Sequence, residues 1–427
     1  METAFFRFYH KSEDKAKVVS TSLISLLATS VGFLIFALSV KQWLSSVTDI
    51  NPDYLKFTTY ILVLDALVII PFALLRANEK PMRYAVLKTV NVTINLGFNV
   101  FFLLILPELA ENAESGLMAS IYRPNWEIHY VLISNVIASG ITLLILLPGY
   151  FKASYTFDPK LWKQMMKYAG PVMIAGIAFT INEVLDKILL TQILPSDIAE
   201  AEVGKYGACY KLALFMTLFG TAFRMGVEPF FFSHANSEKP ERTYAQITNY
   251  FVILGSIILL GVIVFIDVLG KLLLHNPVYW EALNVVPIIL LGSFCLGIYH
   301  NLSVWYKVTD QTKFGAYISS IGAIITLTIN IAFIPKIGYM ASALATLAAY
   351  GSMMLLSYYF GRKYYPVPYN MRKILFYLSV SILFSTLSFY VFNRNLIAGS
   401  ILLLVFLGLV YKMEGDNLKS IFVKRGD

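Results

Sequence analysis

The residues most able to bind a ligand or an ion are charged side chains inside apolar stretches. Residues 165–193 contain Glu183, Asp186 and Lys187. On a helix, Glu183 and Lys187 are four residues apart and share a face, in the order that favours an ion pair. Charged groups at membrane depth are costly, so they are either paired or functional. The pattern predicts an internal ion pair that fixes helix packing, or a polar cavity wall from which Lys187 contacts an anionic ligand.

A second charged stretch follows at residues 203–226, which contains Lys205, Lys211 and Arg224 and ends just before Glu228. Lys205 is near the end of the stretch, where a lysine can snorkel to the interface, whereas Lys211 is deeper. On a helix these two lysines are about 120° apart, so they cannot both point at one cavity centre. Arg224 and Glu228 are spaced for an ion pair. Alternatively, the guanidinium of Arg224 binds a phosphate, whose oxygens match its fork of donors.

The first third of the chain has fewer charges in its apolar stretches. Asp65 is predicted to lie in mid-helix, as a protonation site or as a carboxylate hydrogen-bonded to neighbouring helices, and Lys88 lies about one turn inside the next helix. Asn91, Asn95 and Asn99 recur every four residues and form a polar stripe. Such a stripe holds helices together or lines a water-filled cavity.

Composition excludes most soluble classes of protein. The chain has 427 residues, of which 57% are hydrophobic and 14% are charged, against about 25% charged in an ordinary soluble domain. Disordered chains have low hydrophobicity and high net charge, so this composition excludes disorder. Two cysteines are too few for a disulfide scaffold. We attribute the net charge of +8 to basic residues in the cytoplasmic loops of a membrane protein rather than to a nucleic-acid-binding surface.

Motifs for catalysis or cofactor binding are missing from the sequence. The five histidines have no metal-ligand spacing, and there is no Walker A loop, no G-x-S-x-G elbow and no acidic pair on a loop. Cys209 and Cys295 lie in apolar stretches and are interpreted as small apolar residues. We therefore predict no catalytic residues, no metal and no cofactor, and we expect a protein that is not an enzyme.

The apolar stretches predict an all-α polytopic membrane protein. A spanning helix needs roughly 20 mostly apolar residues. Twelve stretches meet this description: 17–40, 57–75, 84–107, 129–150, 165–193, 203–226, 246–270, 284–306, 314–334, 338–360, 373–392 and 396–412. If residues 1–16 are cytoplasmic, most of the 34 Lys and Arg residues fall at cytoplasmic ends, as the positive-inside rule requires. Both termini are then predicted to be cytoplasmic.

Internal similarity suggests a duplication. The run Glu2-Thr-Ala-Phe-Phe resembles Glu228-Pro-Phe-Phe-Phe, and both precede an apolar span. At a constant offset of 231 residues, four further pairs match in a hairpin and the helix after it: Arg76 with Lys307, Glu79 with Asp310, Ala85 with Ala316, and Asn99 with Asn330. Parallel repeats of this kind build transporters with a site at the repeat interface. The alternative is that membrane hairpins look alike because the same residues recur at their turns.

The repeat predicts the domain organisation. The first lobe is residues 1–158 with four helices, the second lobe is residues 159–364 with six helices, and residues 365–427 add two helices and a cytoplasmic tail. The second lobe starts two helices before Glu228, whereas the first starts directly at Glu2. We therefore expect the first lobe to lack its first two helices, through a truncated chain, a misassigned start or a reduced family member.

Several runs resemble a known family. They are Glu202 to Met216, Phe223 to Phe232, Trp305 to Lys313, and Asn330 with Ile334 to Tyr339. In this order they resemble the polysaccharide biosynthesis proteins of Gram-negative bacteria, especially a Bacteroidetes-like branch. These are Wzx-type flippases of the multidrug/oligosaccharidyl-lipid/polysaccharide exporter superfamily. The pair Asp186 and Lys187 is similar to the acidic–basic pair of its seventh helix.

The resemblance implies a fold and a function. The family has fourteen helices, arranged as two six-helix lobes around a central cavity and two additional helices. It moves undecaprenyl-pyrophosphate-linked oligosaccharides, such as O-antigen or capsule repeat units, across the bacterial inner membrane by alternating access. An ion-coupled drug or small-molecule antiporter of the same superfamily is the main alternative. A membrane enzyme of glycan assembly is a third, but it should show a larger outer loop or paired catalytic residues.

The negative charge of a pyrophosphate suggests roles for the charged residues. A pyrophosphate in hydrocarbon needs cations to replace its water. The candidate cations of the cavity are Arg224, Lys211, Lys187, Lys88 and Lys205. The candidates for ion coupling or structural pairing are Asp65, Glu183, Asp186 and Glu228. The expected partners are the lipid-linked oligosaccharide, the lipid bilayer, H⁺ or Na⁺ as a coupling ion, and a polysaccharide polymerase and glycosyltransferases. We expect a monomer and no nucleic acid.

Overall fold

The computed structural model describes residues 1–48, 50–111, 117–151, 155–234, 238–274 and 276–423. These residues are helical almost throughout and contain no β-strand. The last residues of the predicted tail, 424–427, lie outside the described ranges. The all-α polytopic fold predicted from the apolar stretches is therefore confirmed.

Seventeen α-helices follow each other along the described chain. They are α1 (Glu2–Lys11), α2 (Lys15–Thr48), α3 (Pro52–Ala77), α4 (Pro81–Val100), α5 (Leu106–Glu111), α6 (Leu117–Ile121), α7 (Glu127–Phe151), α8 (Pro159–Ile193), α9 (Ser196–Ser233), α10 (Pro240–Val264), α11 (Ile266–Leu273), α12 (Val286–Leu302), α13 (Val304–Val308), α14 (Lys313–Ile337), α15 (Tyr339–Tyr364), α16 (Met371–Thr386) and α17 (Leu396–Val423). Single π-helical turns, Phe101–Ile105 and Leu387–Val391, extend α4 and α16, and a 3₁₀ helix, Pro277–Val285, leads into α12.

Ten of the described helical segments are long and apolar enough to cross a membrane. The two other predicted spans correspond to α8 and α9, which carry most of the charged candidates. They have 35 and 38 residues, and at 1.5 Å per residue each is longer than the roughly 30 Å hydrocarbon core. The chain is a multi-pass membrane protein.

The helices form two compact units, residues 1–169 and 170–427. In the first unit, α3 packs against α2 and α7, and α4 packs against α7. A small core lies between these helices, formed by Val68, Phe72, Leu87 and Leu146. The division between the units falls inside α8.

Two prolines shape the first unit. Pro71 lies inside α3 and Pro148 lies inside α7. A proline inside a helix removes the hydrogen bond to the carbonyl four residues earlier. For Pro71 that carbonyl belongs to Leu67, and it accepts a hydrogen bond from the hydroxyl of Tyr150 on α7. The carbonyl that Pro71 leaves without a helix partner therefore has a donor on the neighbouring helix.

The second unit is built around α12. This helix packs against α9, α10 and α15, while α14 packs on α15, and α16 and α17 pack on α10. Phe294 of α12 fits against Gly255 of α10, where a Cβ atom would come within 2.2 Å of the ring. The aromatic side chains of Phe251 and Phe294 are fully buried at this contact. Close approach of these helices fixes α9 and α15, which carry the polar residues described below.

The two hairpins matched by the offset of 231 residues have the same backbone geometry. Glu79 and Asp310 have left-handed conformations, with φ of 54° and 60°. In each hairpin the next residue donates its N–H to a carbonyl five residues earlier, at 3.0 Å in the first and 2.8 Å in the second. A positive φ is uncommon outside glycine, so its recurrence at matched positions supports the predicted repeat.

Candidate functional site

A buried group of carboxylates and tyrosines, which we call the acid–tyrosine cluster, lies in the second unit. It comprises Glu183 and Asp186 on α8, Tyr206 and Tyr210 on α9, and Tyr350 on α15. The spacing of three along α8 and four along α9 places each set on one helix face. The side chain of Asp186 is 1% exposed. A carboxylate at this depth must have hydrogen-bond donors nearby.

Glu183 joins three helices. The hydroxyl of Tyr210 donates to its Oε2 at 3.1 Å, and the hydroxyl of Tyr350 donates to its Oε1. Asp186 accepts from Tyr206 at 2.7 Å and from the backbone N–H of Lys187 at 2.7 Å. Each carboxylate oxygen in the cluster therefore has a donor.

The predicted Glu183–Lys187 ion pair is wrong for the described structure. The ammonium of Lys187 lies 4.6 Å from the ring centroid of Tyr210, in a cation–π contact. The physical reason is that tyrosine hydroxyls from facing helices occupy both oxygens of Glu183. Lys187 and Glu183 therefore share Tyr210, one through its ring and the other through its hydroxyl.

An amide lies beside this cluster. Asn182 is 3% exposed, and its Oδ1 accepts from Thr326 of α14 at 2.6 Å. Its Nδ2 is buried and has no acceptor among the described residues. The carboxylate and hydroxyl oxygens of the cluster suit a proton or a hard cation. The described chain contains no group of three or more His, Cys, Asp or Glu side chains that could hold a metal ion.

A second polar site, the Arg224 cleft, lies near the Ser233 end of α9. Its polar lining is Arg224, Glu228, His300, Asn301 and Lys307, and its apolar lining includes Phe231 and Phe232. The ammonium of Lys307 lies 3.1 Å from Oε1 of Glu228, and both side chains are largely buried. Three basic side chains thus face one narrow space with a single carboxylate.

The predicted ion pair between Arg224 and Glu228 does not form. Lys307 of α13 occupies the carboxylate of Glu228 instead. Across the described ranges, the guanidinium of the half-buried Arg224 has no carboxylate partner. An arginine without a counter-ion beside His300 is a site where an anion would be stabilised.

The other candidate cations do not converge on either site. Lys205 is held by Glu281 at 2.7 Å and Glu202 at 3.6 Å, so its charge is already neutralised. Lys211 is exposed, next to the buried Leu212. It therefore points away from the core of its unit.

Polar residues of the first unit mainly join its helices. Lys88 is exposed, with its ammonium 4.7 Å from the ring centroid of Phe72. Asp65 is exposed, and its Oδ1 accepts from Ser139 of α7 at 2.6 Å. The asparagine stripe of α4 contacts α7, through Asn91 to Thr142 at 2.9 Å and Asn95 to Asn135 at 2.6 Å, while Asn99 donates back to Asn95. The stripe therefore holds α4 and α7 together.

Sequence reasoning missed the tyrosines of the acid–tyrosine cluster, and it interprets His300 as a packed interfacial group rather than a ligand. Tyr206 and Tyr210 are four residues apart, which is a readable signal for a shared face. Tyr350 has no local signal, because its contact with Glu183 joins residues that are 167 positions apart. Lys307 is recognisable from the sequence only as a repeat partner of Arg76.

Comparisons with known proteins agree with this architecture. The profile of the family described as polysaccharide biosynthesis protein matches residues 2–234, and the profile MatE matches residues 171–334. A comparison with curated protein sequences finds no match. The family match covers more than half of the chain.

Solved structures that are similar to this chain include membrane transport proteins. A point mutant of the MATE transporter VcmN of Vibrio cholerae has a TM-score of 0.68 at 15% identity, over 86% of this chain and 84% of that one. The lipid II flippase MurJ in an inward closed conformation has a TM-score of 0.65 at 15% identity, over 96% and 88%. An outward-facing MATE transporter of the MOP superfamily has a TM-score of 0.67 at 11% identity, over 85% and 82%. The chain shares the fold of these transporters and belongs to the polysaccharide biosynthesis protein family.

Proposed function

We propose that this protein is a flippase that moves undecaprenyl-pyrophosphate-linked oligosaccharide across the bacterial inner membrane by alternating access. The repeat unit of an O-antigen, a capsule or another surface polysaccharide is the cargo. Family membership supports the polysaccharide part of the proposal. The observation that carries it is the Arg224 cleft, where a guanidinium without a carboxylate partner among the described residues shares a narrow space with His300 and Lys307.

The chemistry of the cleft suits a pyrophosphate. A guanidinium presents two parallel donors that match phosphate oxygens, and charge-assisted bonds of this type are about twice as strong as neutral ones. Lys307 is paired with Glu228, and an arriving pyrophosphate competes for that ammonium. The cleft therefore changes its internal pairing when the anion binds, which couples binding to the position of α13 relative to α9.

In this proposal the acid–tyrosine cluster binds the coupling ion. The buried Asp186 and the partly buried Glu183 are carboxylates whose side-chain hydrogen-bond donors come from α9 and α15. A proton or Na⁺ that binds either carboxylate displaces or reorients a tyrosine hydroxyl. The ion thereby alters contacts among α8, α9 and α15. Asp65, with its described donor from Ser139, is the corresponding candidate in the first unit.

An ion-coupled drug or small-molecule antiporter is the second candidate function. The two carboxylates of the acid–tyrosine cluster favour it, because a carboxylate attracts a cationic drug and repels a pyrophosphate. The similarity to MATE structures also favours it. The two functions differ in the charge of the cargo, which makes them separable by experiment.

The proposal includes an orientation and partners. We place both termini in the cytoplasm, because the Lys and Arg residues concentrate at that side. The Arg224 cleft then lies toward the cytoplasmic leaflet, where the lipid-linked unit is assembled. A polysaccharide polymerase and glycosyltransferases are the expected functional partners, and the protein acts as a monomer.

Export of surface polysaccharide tests the function directly. The gene is deleted in its host and restored on a plasmid, and surface polysaccharide is measured beside efflux of a cationic dye. We expect loss of polysaccharide with accumulation of lipid-linked oligosaccharide in the inner leaflet, and unchanged dye efflux. Normal polysaccharide with reduced dye efflux would replace the flippase with the antiporter.

A further inference from the structure

The first unit contains a cavity that neither the sequence nor the proposed transport site accounts for. Its volume is about 330 Å³, and it lies between α2, α3 and α7. The apolar part of the lining includes Leu23, Ile70, Leu74, Leu75, Ile145 and Leu146. A cavity lined in this way favours hydrocarbon over water.

Two helix prolines contribute to the wall of the cavity. Pro71 of α3 and Pro148 of α7 both line it, together with Gly149. A proline ring prevents the tight packing of the preceding turn. A Cβ atom added at Gly149 would meet no other atom within 4 Å. Two prolines and a glycine on α3 and α7 thus present little side-chain bulk to the cavity.

The mouth of the cavity is basic. Asn78, Lys80 and Arg83 complete its lining at the hairpin between α3 and α4. Lys80 and Arg83 are exposed and form no described ion pair. The first turn of α4 also contains no acidic residue and no side-chain cap, so the partial positive charge of the helix start adds to the two cations. One end of the cavity thus attracts an anion while the rest is apolar.

We propose that this cavity binds an anionic phospholipid of the surrounding membrane, with its phosphate at Lys80 and Arg83 and part of one acyl chain between α2, α3 and α7. A free phosphate would leave the apolar walls uncovered, whereas an acyl chain covers them. A zwitterionic lipid would place its own cation near Lys80 and Arg83. The site lies within the first unit, and it does not depend on the identity of the transported cargo.

Native mass spectrometry of the purified full chain tests the proposal. The protein in non-ionic detergent receives phosphatidylglycerol and phosphatidylcholine with identical acyl chains at equal concentration. We expect about tenfold more retained phosphatidylglycerol, because phosphate contacts with Lys and Arg are charge-assisted. The double substitution Lys80→Gln with Arg83→Gln should abolish the preference, and Gly149→Leu should reduce retention of both lipids by filling the cavity.

Matched substitutions control for net charge and bulk. Lys160→Gln with Lys163→Gln removes two exposed cations that do not line the cavity. Gly32→Leu adds the same bulk at an open position on α2 outside it. Both should retain lipid like the parent chain. Equal retention of the two lipids, or an unchanged preference in the Lys80/Arg83 variant, would overturn the proposal. If inorganic phosphate at the same concentration displaced the retained phosphatidylglycerol, the cavity would be a site for a free anion instead. If a polyprenyl phosphate displaced it at a lower concentration, the cavity would be a site for the carrier lipid.

Discussion

Arg76 and Glu2 form an ion pair in the first unit, with 2.6 Å between Nη1 and Oε1. Their counterparts in the repeat, Lys307 and Glu228, form an ion pair in the second unit at 3.1 Å. The acidic residue precedes a pair of buried phenylalanines in each case, and the basic residue precedes the hairpin with the positive φ. The two ion pairs therefore occur at positions that the predicted duplication matches, with Arg in the first unit and Lys in the second.

The Glu228–Lys307 pair should stabilise the second unit modestly. Both side chains are mostly buried, so the pair is worth more than an exposed one, and we expect a coupling energy of about 1 kcal/mol. A double-mutant cycle with Glu228→Gln and Lys307→Gln checks this through the Tm of the purified protein. Lys307→Gln should lower the Tm in the parent chain and much less in the Glu228→Gln background. Equal effects in both backgrounds would mean that the pair contributes nothing.

The repeat also illustrates which parts of the fold the sequence could predict. Spans such as 314–334 match α14 within a few residues, because a continuous apolar run has few alternatives in a membrane. The matched hairpins are identifiable from residue types alone. By contrast, the sequence predicts local pairs, Glu183 with Lys187 and Arg224 with Glu228, whereas the structure pairs residues across helices.

Local spacing could not predict the partners of the site, because each carboxylate has a choice of donors. Glu183 could reach Lys187 on its own helix, but α9 and α15 place the hydroxyls of Tyr210 and Tyr350 within hydrogen-bond distance of it. Tertiary packing determines which donors are within reach, and a tyrosine hydroxyl can be buried with less desolvation than an ammonium. Buried tyrosines facing acidic residues are thus a feature that only the fold reveals.

Removal of one tyrosine hydroxyl should destabilise the acid–tyrosine cluster. Tyr350→Phe leaves Oε1 of the partly buried Glu183 without its donor, and the loss should cost about 1 kcal/mol, the low end of the range for a buried acceptor without a partner. The Tm of the purified protein should fall by several degrees. Tyr359→Phe on the same helix is the matched control, because Tyr359 is 63% exposed. The hydrogen bond to Glu183 would be dispensable if the two variants had equal Tm values.

Asp158 should give the start of α8 a pH dependence. The backbone N–H groups of Leu161 and Lys160 donate to its carboxylate. The Leu161 bond is the main cause that lowers the pKa of Asp158, and Lys17 contributes at 3.7 Å. A lowered folded-state pKa stabilises the protein above the ordinary pKa of about 4, and this stabilisation is lost as the pH falls through the folded-state value.

The measurement for Asp158 compares Tm values across pH. Asp158→Ala should lower the Tm at pH 7, and the difference from the parent should shrink below about pH 4. Asp158→Asn keeps an N-cap acceptor and loses the charge, so its Tm should fall between the two at pH 7. A difference between parent and Asp158→Ala that is constant with pH would assign the effect to capping alone.

Arg224 should be the residue whose loss most impairs export. Its guanidinium has no carboxylate partner within the described chain, and an idle cation at membrane depth would cost about 2.5–3.5 kcal/mol by insertion scales. We expect Arg224→Ala to reduce surface polysaccharide at least tenfold at matched protein levels, since one charge-assisted contact is worth more than about 1.4 kcal/mol. Arg224→Lys should restore export partly, because Lys keeps the charge and loses the two parallel donors.

Lys211→Ala is the matched control, since this lysine is exposed and faces away from the core, and this variant should export normally. Full export by Arg224→Ala would give Arg224 a structural role and would leave His300 and Lys307 as the cations of the cleft.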